Sequence, residues 1–184
     1  MASPPAVTAR RPLPFPAAAR GVVRSVLVSA GLLARRRIHH PRAAVGTRLR
    51  FPGGTASWVY RETVVERPPP GEPCVLVVEF RLRGVRGRGH AVFRSESWLN
   101  LPLFAGFPGL LTKWWVAADE RDVYRGVYEW DGAARADAYA RALWWVLALV
   151  SERRSIRHVV VPGVRRADVL VSTGGTELAL RTAA

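Results

Sequence analysis

The strongest constraint on this chain is how its hydrophobic period changes between Cys74 and Gly163. Cys74 to Arg83 alternates, with Leu76, Val78, Phe80 and Leu82 on one phase and Val75, Val77, Glu79, Arg81 and Arg83 on the other. That is the period of a strand with one face for a helical layer and another turning polar toward its end. Gly84 to His90 reads as a basic loop. Ala91 to about Leu101 can be helical, carrying Val92, Phe93, Trp98 and Leu99 until Pro102 limits it. After a loop from Phe104 to Gly109, Leu110 to Ala117 and Val123 to Trp130 are strands joined by the polar turn Asp119 to Asp122. Asp131 is placed as an N-cap for a helix from Ala133 to Val150, with Asp137 and Arg141 as a surface i, i+4 pair. Beyond Arg141 this helix is apolar all round, which requires burial, in part by another subunit. Ser155 to Val161 is a last short strand, ended by Pro162-Gly163.

Strand, helix, strand, strand, helix, strand is the split β-α-β order of an antiparallel sheet with both helices on one face. The expected class is therefore α+β, a ferredoxin-like βαββαβ domain over residues 73–163. Its other face would be bare and would carry indole rings and charges, so dimerisation is the economical way to bury it.

The flanks read differently. Residues 1–19 are rich in Pro, Ala and Arg and have no periodic apolar face, so a disordered lead is expected. Residues 20–72 form an extension. Val22, Val23, Val26, Leu27, Ala30 and Leu33 recur at helical spacing between basic flanks, as in a docked helix or one lying on a membrane surface. Two strands, Thr47 to Phe51 and Thr55 to Glu66, follow around Pro52-Gly53-Gly54 as a hairpin, and Pro68-Pro69-Pro70-Gly71 marks a boundary. Residues 164–184 are a tail with a weak helical piece near Ala167 to Val171.

A net charge of +14 suggests nucleic acid, but Lys113 is the only lysine among 28 basic residues and the arginines are scattered. No helix-turn-helix, zinc-finger or RNP signature accompanies them, so nucleic-acid binding is not expected. A single cysteine, Cys74, excludes an intrachain disulfide and makes the cytoplasm the default compartment. Ala142 to Val150 is too short to cross a bilayer, which takes about 20 residues, and no transmembrane segment is expected. No His/Asp/Glu spacing suits a metal.

The segments Phe107-Pro-Gly-Leu-Leu-Thr-Lys113-Trp-Trp115 and Gly126-Val-Tyr-Glu-Trp130, with Ala134 to Ala140 ending in Ala-Tyr-Ala, resemble the YdhR-like branch of the dimeric α/β-barrel superfamily. The superfamily also holds the antibiotic-biosynthesis monooxygenases. The likeness covers residues 74 to 163 and implies a homodimer with a hydrophobic cavity between sheet and helices. It is compatible with cofactor-free monooxygenases, cyclases, isomerases, haem-degrading enzymes and ligand-binding regulators.

Candidate chemistry centres on a few strand residues. Lys113, facing a greasy cavity, would be a base or an anion holder. The plainer reading is an ion pair with Glu79 or Glu129. His158 is the one histidine in an expected strand, suited to acid–base work or to a structural hydrogen bond. Tyr128 joins them as a catalytic candidate, while Glu79, Trp115 and Trp130 are candidates for holding substrate. In the pair Trp114-Trp115 one ring must enter the core and the other a pocket or an interface. Two functions follow. One is a cofactor-independent monooxygenase or cyclase acting on a hydrophobic cyclic or polyketide-like molecule. The other is a non-catalytic dimer that binds such a molecule or serves as a scaffold. A polar pair converging in the pocket, Lys113 with Glu79 or Tyr128 with His158, would favour the enzyme.

Overall fold

The computed structural model describes residues 7–8, 11–85, 87–174 and 177–180. In chain order these form β1 (Val7–Thr8), α1 (Phe15–Ala34), β2 (Ile38–His39), β3 (Arg48–Arg50), β4 (Ala56–Val65) and β5 (Pro73–Arg81). Then come α2 (Gly89–Glu96), a 3₁₀ turn (Ser97–Asn100), α3 (Leu101–Ala105), β6 (Leu110–Val116), β7 (Val123–Asp131) and α4 (Ala133–Val150). The chain ends in β8 (Arg157–Pro162), α5 (Arg166–Val169), β9 (Leu170–Gly174) and β10 (Glu177–Leu180).

The protein is α+β. Strands run β1-β8-β5-β7-β6-β4-β3-β10-β9, with β2 on β4. Every pairing from β1 to β3 is antiparallel, and only β10 joins β3 in parallel. The strict alternation of β5 makes it a central strand. Cys74, Leu76 and Val78 enter the core beneath the helices, with Phe80 packed on its edge, while Val75 and Val77 enter a second core on the opposite face.

The second core changes the picture of a bare sheet face. Trp114, Val116, Val127, Val75 and Val77 are buried there against Ala44, Leu49, Phe51 and Val169 of the same chain. The indole N–H of Trp114 donates to Glu62 at 2.8 Å, and the Arg166 guanidinium caps its ring at 4.0 Å. Residues 42–51 and the C-terminal α5 thus do what a second subunit was expected to do. The N-terminal hairpin is no appendage either, because β4 pairs with β6 from Val59 to Val64 and extends the sheet past the proline run.

Three local expectations are corrected. The lead is helical from Phe15, and Val7–Thr8 pairs with β8; residues 1–6 and 9–10 lie outside the described residues. The N-cap of α4 is Gly132, at φ +95°, not Asp131, whose carboxylate accepts from the Glu72 N–H and from Arg135. The apolar second half of α4 is covered partly by this chain's own N-terminal segment: Trp145 donates to the Leu13 carbonyl at 2.8 Å and meets the edge of Phe15.

Helix α1, with 20 residues and mean hydropathy 1.4, is long and apolar enough to cross a membrane, and is the one such helix among the described residues. Here one stripe of it packs on α3, where the Ser25 and Ser29 hydroxyls both donate to the Pro102 carbonyl at 3.1 Å. Gly106 permits that approach, since a Cβ there would lie 2.1 Å from the Ser25 carbonyl oxygen. The opposite stripe leaves Val23, Leu27 and Leu33 exposed.

Candidate functional site

Between the helical layer and the centre of the sheet lies a cavity of about 260 Å³. Its floor comes from β7 and β6. On β7 the same-face residues are Tyr124, Gly126 and Tyr128; on β6 they are Lys113 and Trp115. Phe80 and Val78 of β5 continue the floor, and Leu143, Val146 and Leu147 of α4 form a wall. The opposite wall is Phe93, Ser97 and Phe104, with Tyr60 of β4 beside them. Leu99, Leu149 and Val150 also line it but are exposed, so they edge its open side.

Three backbone features create this space. Gly126 leaves room for the folded-back Tyr128 ring, since a Cβ at 126 would lie 2.6 Å from it. A bulge at the start of β6 sets Leu110 opposite Trp130 but Thr112 opposite Glu129. Consequently Leu110, not Leu111, shares the buried face with Lys113 and Trp115. A second irregularity between Val59 and Arg61 lets Tyr60 line the cavity while Arg61 reaches the helix side.

Lys113 is buried, and its Nζ lies 3.2 Å from the centre of the Trp115 ring, 4.1 Å from that of Phe104 and 5.1 Å from that of Tyr128. No carboxylate pairs with it among the described residues. Of its two suggested partners, Glu79 faces the other side of the sheet, where Arg125 Nε holds it at 2.6 Å, and Glu129 shares that opposite phase. Burial, joined by the positive charge of Arg61, holds the Lys113 ammonium well below the usual lysine range.

The remaining polar groups are arranged around the rings. Trp115 donates its indole N–H to Thr63 Oγ1 at 3.1 Å. Tyr139 of α4 donates to the Tyr128 hydroxyl at 3.2 Å, and burial pushes the pKa of both phenols up. Burial pushes the Tyr60 phenol up to about 12.

The cavity therefore brings together Lys113, Trp115 and Tyr128. It does not include the other three candidates. Glu79 is on the opposite face. Trp130 is fully buried against Tyr139, with ring centres 4.9 Å apart, and belongs to the core. His158 points under α4, where Nε2 meets Asp137 Oδ1 at 3.2 Å, and Asp137 also faces Arg141. Neither polar pairing suggested from sequence converges. Phe104, Tyr60, Gly126 and the α4 wall escaped sequence reading, although Tyr124, Gly126 and Tyr128 share one strand phase that could have revealed the floor. Among the described residues no three His, Cys, Asp or Glu side chains group as metal ligands.

Neither a family model nor a curated protein matches this chain.

Proposed function

We propose that this protein takes a flat hydrophobic molecule into the aromatic cavity and acts on it without a cofactor, as a monooxygenase or cyclase of the kind made by the superfamily it resembles. The observation that carries this reading is Lys113, the single amine side chain of the protein, set among aromatic rings with no carboxylate partner among the described residues, in a cavity open to solvent. The antiparallel order β8-β5-β7-β6, with α2, α3 and α4 supplying cavity walls over one face, supports a ferredoxin-like dimeric α/β-barrel domain. Ligand cavities commonly run from about 300 to 1,000 Å³, so 260 Å³ favours two or three fused rings over a larger polyketide.

A neutral Lys113 can remove an acidic C–H or phenolic proton, and the resulting ammonium then holds the enolate or phenolate. That step is common to both chemistries. A cyclase lets the carbanion attack a second carbonyl of the same molecule, and a monooxygenase lets dioxygen attack it. Anthrone is a direct probe: with dioxygen it gives anthraquinone and water. Appearance of anthraquinone above the buffer rate, lost in Lys113→Met, is the expected result. An unchanged rate in that variant would refute the role of the ammonium.

Binding without turnover is the second reading. It is favoured by Glu79 and His158 having partners elsewhere, so that neither of these two groups joins Lys113 in the cavity. We retain a homodimer in the proposal, supported by the exposed stripe of α1 and not by the sheet face that the chain itself covers.

A further inference from the structure

We propose that Lys113 is a covalent nucleophile that forms an imine with the carbonyl carbon of a hydrophobic aldehyde or ketone held in the cavity. The inference rests on the reading that the cavity binds an apolar molecule, and it names the functional group that molecule carries.

Imine formation needs an amine that is uncharged, accessible to ligand and not tied to an acid. Lys113 lines the cavity, and among the described residues it has no ion pair and no hydrogen bond. Its Nζ lies over the faces of Trp115, Phe104 and Tyr128. Those rings restrict the long side chain, so little rotamer freedom remains to be lost when a ligand is attacked. The basic side chain beside the cavity wall, Arg61, is a guanidinium, which does not condense with simple carbonyls under these conditions. Burial and the charge of Arg61 both shift Lys113 toward the free amine.

The carbonyl oxygen also has a partner. Because Tyr139 donates to the Tyr128 hydroxyl, the proton of Tyr128 is left available for another acceptor, and Tyr128 lines the same cavity. A carbonyl oxygen there is polarised while its carbon faces Nζ. The nitrogen lone pair attacks that carbon, and the C=O π pair moves to oxygen, giving a carbinolamine once a proton passes from nitrogen to oxygen. The C–O bond then breaks, the hydroxyl leaves as water with one proton from solvent, and a protonated imine remains. Loss of that proton regenerates the balance of amine plus carbonyl going to imine plus water.

The test uses the full chain and 6-methoxy-2-naphthaldehyde, a fused two-ring aldehyde. Tryptophan quenching reports binding, and sodium cyanoborohydride reduces any imine to a stable secondary amine that is located by peptide mass mapping. The expected result is quenching together with one adduct per chain at Lys113, formed faster than any adduct at the N-terminal amine. In Lys113→Met the quenching persists and the adduct disappears. Quenching with an unmodified Lys113 overturns the imine and leaves the cavity reading standing. Absence of both quenching and adduct overturns both. The wild-type mapping decides the matter even if the variant folds poorly.

Discussion

The guanidinium of Arg61 lies 3.9 Å from the centre of the Trp98 ring. Its Nη1 donates to Ser97 Oγ at 2.9 Å and its Nη2 to the Arg94 carbonyl at 3.1 Å, tying β4 to the turn beside the cavity. Among the described residues it is also the charged neighbour that opposes ionisation of Lys113. Arg61→Met should therefore raise the pKa of Lys113. The pH at which reductive labelling of Lys113 reaches half its plateau moves upward relative to wild type. A lowered midpoint would contradict this electrostatic arrangement.

Lys113 should cost stability at neutral pH. Its folded constant is depressed, so the unfolded chain, with a lysine constant of about 10.4, binds the proton more readily and stability rises with pH across that interval. Lys113→Met removes this term. Its melting temperature should exceed that of wild type near pH 7, and the excess should shrink as pH approaches about 10.4. A parallel pair of stability–pH curves would show that the ammonium is not destabilised.

Gly126→Ala should close the cavity. The added methyl meets the Tyr128 ring at 2.6 Å, so that ring must move. Overpacking of this kind typically costs about 1–3 kcal/mol. Binding of the naphthaldehyde probe, followed by tryptophan quenching, should fall well below wild type in a protein that still melts cooperatively. Undiminished binding would place the ligand elsewhere.

Truncating Trp115 or Tyr128 to Ala should weaken the probe beyond any effect on folding. Large buried aromatics cost about 3–5 kcal/mol on truncation, so affinity is compared well below each variant's melting temperature. Tyr128→Phe is milder: it removes the hydroxyl that accepts from Tyr139, and about 1 kcal/mol of stability with it. Probe binding should survive in that variant while adduct formation slows.

His158 should prove structural. His158→Gln leaves Asp137 with only Arg141 at 3.5 Å and is expected to cost about 1–3 kcal/mol. Labelling of Lys113 in the folded variant stays at the wild-type rate. A labelling rate that collapses without loss of stability would return His158 to the chemistry.

Local pattern determined much of this protein. The alternation from Cys74 to Arg83 made β5 legible, and the run of good helix formers from Ala133 to Val150 marked the span of α4. Periodicity of 2 and of 3.6 is written into neighbouring residues, so it survives without knowledge of the rest of the chain. It says that a strand has two faces and not what covers each. Tertiary structure decided that Trp114 is buried by Arg166 and the C-terminal segment, so the sheet needs no second subunit on that face. The bulge at the start of β6 decided that Leu110 and not Leu111 joins Lys113, because one extra residue inverts every side chain beyond it. The strand phase of Glu79 was readable; its partner was not, because Arg125, which holds it on the far face and is itself paired with Asp119, comes from a segment distant in sequence. The site likewise was half visible: Lys113, Trp115 and Tyr128 could be named from their strands. Phe104, Tyr60 and the α4 wall entered only when separate elements packed against one another.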